Sequence, residues 1–312
     1  MVFNDGDILK VVEIDREDGS DFKVNIILPS EGKETKGAAF FMHGFSQYPK
    51  AYRKTLKKLA DESQIVIIAV ETGIISSEVL EEVAKREEDK NYILQKAVAT
   101  DTMQCIQMVL DRREPFAEYI PKDVPLGLIG HSMGGGLCFH VASEFPSIID
   151  HVFCMAPAPG VTEFDPSAAI KEHTPANSML LAGKWDLIAK DKIVKELSVL
   201  CNSKKSKSSI YVDIDRGLHT GFQDDLVIFN VDLSKLLGAV GLIESVIVNA
   251  FSFLRTRTGQ LEITRTLLSY FCSQMVAGES ITVEEAMHAL KTDPDMKEKW
   301  ADKATVTYAS SD

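Results

Sequence analysis

Leu126-Gly-Leu-Ile129-Gly130-His131-Ser132-Met133-Gly134-Gly135 decides how this 312-residue chain is read. The apolar run Leu126–Ile129 has the length and composition of a buried strand. An amphipathic helix is predicted to open directly after it and to span Met133–Glu144. Between them, Ser132 is confined to a tight turn with strained dihedrals, and glycines two residues to either side let strand and helix approach without Cβ clashes. In that strand-turn-helix setting the serine hydroxyl projects from the carboxyl edge of a sheet, where it is placed to act as a nucleophile.

Outward from this stretch, short continuous apolar runs alternate with longer amphipathic segments. That pattern predicts parallel strands covered by helices on both faces. The strands are expected at Ala38–Met42, Ile65–Val70, Leu126–Ile129, Val152–Ala156, Met179–Ala182 and Ile210–Ile214. Helices are expected at Tyr52–Glu62, near Asn91–Arg113, at Met133–Glu144, at Lys192–Cys201 and at Leu261–Met275. Two β-rich runs before Pro29, separated by a polar Glu-Asp-Gly-Ser turn, predict an antiparallel entry. One doubly wound α/β domain over residues 1–312 accounts for all of these.

Composition narrows the function classes. With 45% hydrophobic and 26% charged residues the chain is an ordinary globular one with a sizeable core. Its net charge of -12, from 34 basic and 46 acidic side chains, opposes nucleic-acid binding, which depends on clustered Lys and Arg. The five widely spaced cysteines suggest neither a zinc site nor a disulfide framework. The first residues lack the basic start and apolar stretch of a secretory signal, so the expected location is cytoplasmic or organelle-soluble. The apolar stretch Leu236–Leu254 carries Glu244, Ser245 and Asn249, which speaks against a membrane span.

A neutral hydroxyl is a poor nucleophile, so Ser132 requires a downstream histidine base and an acid that holds its tautomer. His219 lies in the glycine-flanked loop Arg216-Gly-Leu-His-Thr-Gly221, just beyond the last predicted parallel strand. Asp186 closes the run Met179-Leu-Leu-Ala-Gly-Lys-Trp-Asp186 and is the first choice of acid, with Asp191 and Asp215 as rivals. The oxyanion formed on attack needs preorganised N–H donors. The amide of Met133 is one, and the amide of Phe45, in Met42-His43-Gly44-Phe45, is the other candidate. His43, Gly44, Trp185 and Phe222 are expected to contact substrate. Such chemistry calls for no cofactor and no metal.

These residues resemble a group of α/β-hydrolases comprising chlorophyllases, bacterial cutinase-like polyester hydrolases and platelet-activating-factor acetylhydrolases. The resemblance spans roughly Phe22 to Gly221 and rests on His43-Gly-Phe45, Ile65-Val-Ile-Ile-Ala69, Gly130-His-Ser-Met-Gly-Gly135, Asp186 and His219. It implies an α/β-hydrolase fold, a triad of Ser132, Asp186 and His219, and oxyanion amides at Phe45 and Met133. It also implies a carboxylic ester hydrolase acting on a small-molecule apolar ester. Peripheral contact with lipid surfaces is compatible with that substrate, without a transmembrane segment. Acyl transfer to another alcohol, thioester cleavage, and ligand binding without turnover remain open alternatives. Residues 222–259 are expected to form a lid or cap insertion, and 279–312 a peripheral helical tail.

Overall fold

The computed structural model describes residues 9–30, 32–45, 47–72, 87–160, 162–204, 207–224, 243–294, 296 and 298–309. The antiparallel entry is β1 (Leu9–Asp15) and β2 (Asp21–Ile27), followed by β3 (Gly37–Met42), α1 (Arg53–Ser63), β4 (Ile65–Glu71) and the long α2 (Glu87–Leu110). The central motif then forms β5 (Leu126–His131) and α3 (Met133–Glu144). After these come β6 (Ile149–Met155), α4 (Pro166–Glu172), β7 (Asn177–Gly183), α5 (Asp191–Asn202) and β8 (Ser208–Ile214). The chain ends with α6 (Ile243–Ala277), α7 (Val283–Thr292) and β9 (Ala304–Tyr308).

All nine strands join one sheet in the order β1-β2-β4-β3-β5-β6-β7-β8-β9. The strands from β3 to β8 are mutually parallel, while β1, β2 and β9 run antiparallel to their neighbours. Every residue of β3, β5 and β7 is buried, because helices cover both faces; their apolar runs are continuous for that reason. In β2, by contrast, exposed Asp21 and Lys23 alternate with buried Phe22 and Val24.

The pleat divides the core in two. Phe40 and Leu128 point to the face packed by Val98 and Ile106 of α2, Phe139 of α3, Ile170 of α4 and Leu197 of α5. Their neighbours Phe41 and Ile129 point to the other face, packed by Leu56 of α1, Leu267 and Phe271 of α6 and Leu290 of α7. Register sets Gly130 level with Met42 and Cys154. Ser132, two residues on, therefore emerges at the carboxyl edge between β3 and β6. All five cysteines are free and buried.

Three differences from the sequence expectation have physical causes. First, the helix expected at Leu261–Met275 is the second half of α6, which begins at Ile243 and runs through Gly259. Gly259 sits inside that helix because a Cβ there would collide with the Trp300 ring. Of the expected 222–259 insertion, 225–242 lies outside the described residues. Second, α4 was not expected; it is only seven residues long, with Pro166 at its start and an Asp165 side chain accepting from the Ser167 amide at 3.0 Å. Third, the tail is not simply a peripheral helical element. Ile281, Ala286 and Leu290 enter the core, and β9 pairs with β8, burying alternate residues Ala304 and Val306. Among the described residues no helix is long and apolar enough to cross a membrane.

Candidate active site

Ser132 has φ 55° and ψ −121°, a conformation that side-chain-bearing residues rarely adopt, at the junction of β5 and α3. Such strain costs on the order of 1–3 kcal/mol and persists only where surrounding structure enforces it. Here three backbone bonds enforce it. The Ser132 amide donates to Met155 O at 2.9 Å, and its carbonyl accepts from Gly136 at 3.1 Å and Ala158 at 3.0 Å. The motif glycines are required by contact: a Cβ on Gly130 would strike the Gly134 carbonyl, and one on Gly134 would strike the carbonyls of Met42 and His43.

Asp186 sits in the turn that follows β7. That turn is drawn against the histidine loop by Trp185 N to Gly217 O, 2.9 Å, and by contact of Gly183 with Gly217, where a Cβ would come within 2.5 Å of backbone. The Asp186 carboxylate is buried, with both oxygens engaged. Oδ1 accepts from the amides of Ile188 at 2.8 Å and Ala189 at 2.9 Å, and Oδ2 accepts from His219 Nδ1 at 2.7 Å. With its proton held on Nδ1, His219 presents Nε2 as an acceptor to Ser132 Oγ at 2.8 Å. The two rivals lie apart from this chain of bonds: Asp191 starts α5 and accepts from the Lys192 amide, while Asp215 pairs with Lys303.

The loop after β3 completes the constellation. A Cβ on Gly44 would lie 3.2 Å from Ser132 Cβ, so this backbone rides directly over the serine. Among the described residues no acceptor engages the amide of Phe45 or that of Met133. Of the residues expected to meet substrate, Trp185 is 51% exposed, with the Arg216 guanidinium 5.7 Å from its ring. Phe222 and His43, by contrast, are both buried. Phe222 is fully buried, its ring 5.6 Å from that of His131, and buried His43 donates from Nδ1 to Gly44 O at 2.8 Å.

Other supporting groups escape a reading of sequence. Gln260, on α6, grips the peptide groups of Leu218 from both sides: its Oε1 accepts from Leu218 N and its Nε2 donates to Leu218 O, each at 2.9 Å. Gly221 leaves the room for that side chain. Just past the loop, the buried Asp224 carboxylate accepts from Thr55 N at 2.8 Å, Thr55 Oγ1 at 2.6 Å and Arg265 Nη2 at 2.9 Å, tying the loop to α1 and α6. Beneath the serine, His131 meets Tyr52 Oη at 2.6 Å and His219 O at 3.0 Å. Burial, reinforced by neighbouring His219, holds the His131 pKa well below 6.5. Burial also lowers that of His43.

The sheet order, the flanking helices and the strained serine at the carboxyl edge are those of the α/β-hydrolase fold. A family model described as alpha/beta hydrolase fold matches residues 121–222, the part that holds the serine, aspartate and histidine. An esterase structure from Pyrobaculum calidifontis, in a monoclinic form, superposes with a TM-score of 0.52 over 86% of this chain and 85% of that one, at 13% identity. No curated protein matches the chain significantly.

Proposed function

We propose that the chain is a serine hydrolase that cleaves a carboxylic ester through an acyl-enzyme. The observation that carries this reading is the unbroken series of bonds from Asp186 Oδ2 to His219 Nδ1 (2.7 Å) and from His219 Nε2 to Ser132 Oγ (2.8 Å). In that reading Ser132 Oγ attacks the ester carbonyl while His219 Nε2 takes its proton. The amides of Phe45 and Met133 stabilise the resulting oxyanion. Collapse expels the alcohol, protonated by His219, and water repeats the sequence to release the acid. Asp186 remains ionised throughout, orienting the imidazole and balancing its transient charge.

Exposed apolar side chains support an apolar ester. Phe45 stands 47% exposed beside the proposed oxyanion amide, and Trp185, Leu187 and Ile188 are exposed on the loop that carries Asp186. Within the fold we place the chain in the chlorophyllase, cutinase-like and platelet-activating-factor acetylhydrolase branch, on His43-Gly44-Phe45 and the Gly130–Gly135 turn.

A fluorophosphonate probe tests the nucleophile: labelling of wild type and none of Ser132→Ala is expected. No labelling of wild type, or equal labelling of both, refutes it. A panel of 4-nitrophenyl esters of rising acyl length, run with and without a competing alcohol, then separates hydrolysis from acyl transfer. Failure to turn over any oxygen ester, with a thioester cleaved instead, would replace the ester reading.

A further inference from the structure

We propose that His131 and Tyr52 act as a positioning pair that sets His219 over Ser132 by fastening the serine turn to the histidine loop. The inference rests on the serine-hydrolase reading above. Its starting point is the direction of two hydrogen bonds. A peptide carbonyl only accepts, so the 3.0 Å contact between His131 Nε2 and His219 O places a proton on Nε2. The ring is neutral, as burial demands, and its Nδ1 is then a bare acceptor. The only proton available to it is that of Tyr52 Oη at 2.6 Å, so the phenol donates.

The Gly44 backbone packs against the His131 ring: a Cβ there would stand 3.3 Å from His131 Nδ1. One polar path thus runs from Tyr52 through the serine turn (His131) to the backbone of the proposed base (His219), with the loop of the proposed oxyanion amide (Gly44) packed against it. Ring packing backs it. Tyr52 lies 4.8 Å from Phe41 and 5.6 Å from His131, and His131 lies 4.9 Å from His219. His131 is no alternative base: it is 1% exposed and both ring nitrogens are engaged. It acts through the His219 carbonyl, so its removal lets that backbone drift relative to Ser132 Oγ.

A drift of about 1 Å at such a site typically costs on the order of 100-fold in rate. Three variants test the pair: His131→Phe, which keeps a ring without nitrogen; Tyr52→Phe, which removes only the hydroxyl; and His131→Gln, whose amide N–H reaches toward the same carbonyl. The readout is kcat and KM on a soluble 4-nitrophenyl ester, normalised to active sites titrated with fluorophosphonate, beside a thermal melt. The two Phe variants are expected to lose roughly 10- to 100-fold in titrated kcat with little change in KM. His131→Gln should recover most of it, and the Tyr52→Phe/His131→Phe double variant should lose no more than His131→Phe alone, because both act on one path. Titrated kcat within about twofold of wild type in Tyr52→Phe and in any folded His131→Phe, with only the melting temperature lowered, overturns the inference and leaves the serine reading standing. Equal losses in His131→Gln and His131→Phe do the same. Wild type that fails to label overturns both.

Discussion

Replacing Asp186 by Asn should abolish most turnover while leaving the fold intact, and the structure says why. Asp186 Oδ1 accepts from two backbone amides, Ile188 at 2.8 Å and Ala189 at 2.9 Å. An asparagine in the same place must keep its carbonyl oxygen there, since its NH2 group would otherwise face two N–H donors in a buried setting. The NH2 is therefore turned toward His219 Nδ1, which must become an acceptor. The imidazole proton moves to Nε2, the nitrogen that now accepts from Ser132 Oγ at 2.8 Å. A base in the wrong tautomer is no base. In serine proteases the equivalent exchange lowers kcat about 10⁴-fold, which is about 5 kcal/mol of transition-state stabilisation. The same loss is expected here in kcat for a 4-nitrophenyl ester at neutral pH. Because both amide bonds survive, the melting temperature should stay within a few degrees of wild type (about 1 kcal/mol or less). A titrated kcat within about tenfold of wild type would refute the orientation argument. So would a large loss that merely follows unfolding.

Other consequences follow from the supports. Gln260→Ala strips both peptide groups of Leu218 of their partner, at about 1–3 kcal/mol for each buried group left unpaired; a lower melting temperature and a reduced kcat are expected together, and an unchanged kcat would show that the clamp does not hold the histidine loop. Arg265→Met leaves the Asp224 carboxylate buried without its cation and should cost about 3–5 kcal/mol in urea denaturation; a loss under about 1 kcal/mol would contradict that burial. Stability should also fall with acid. His131 and His43 are buried neutral with pKa values held below the usual 6.5, so below that pH the unfolded chain binds protons that the fold refuses. The sign is thus stability present above pH 6.5 and lost as pH drops toward the folded values, by up to about 1.4 kcal/mol per pH unit for each histidine. Urea midpoints between pH 7.5 and 5 would measure it, and His131→Gln should flatten the slope by one proton.

Much of this site is legible along the chain because its instructions are local. The turn around Ser132 is written within five residues: Gly130 and Gly134 are needed by each other's backbone. Asp186 and His219 were findable because parallel strands must end somewhere, and polar residues just past those ends face the same sheet edge. The supports are illegible for the opposite reason. Gln260 acts on a residue 42 positions away, and Asp224 on one 169 positions away. A buried Gln, Tyr or His in an apolar run reads the same whether it braces a loop or fills space. The histidine in Gly-His-Ser reads along the chain as part of the turn, while its two hydrogen bonds depend on Tyr52 and the His219 backbone converging in space. The strand in the tail is hard to read because β9 is only five residues long and its pairing partner β8 is distant in sequence.

The same distinction explains how this fold holds a strained serine. Close contacts between glycines, Gly130 with Gly134 and Gly183 with Gly217, bring backbones closer than a Cβ would allow, and Gly44 passes tightly over Ser132. Each glycine gives up more chain entropy on folding than another residue would, so close approach alone is an unstable way to build a site. Long-range polar clamps offset that looseness from beneath: Gln260 on Leu218, Asp224 on Thr55 and Arg265, His131 on His219. They attach to backbone or to buried groups and leave the proposed proton-transfer pair, Ser132 Oγ and His219 Nε2, bonded to each other. Glycines thus set how near the three loops come, and the clamps set where they stop. A donor and acceptor held at 2.8 Å before substrate arrives need little reorganisation when charge develops, and in an electrostatic site that is where most of the rate is gained.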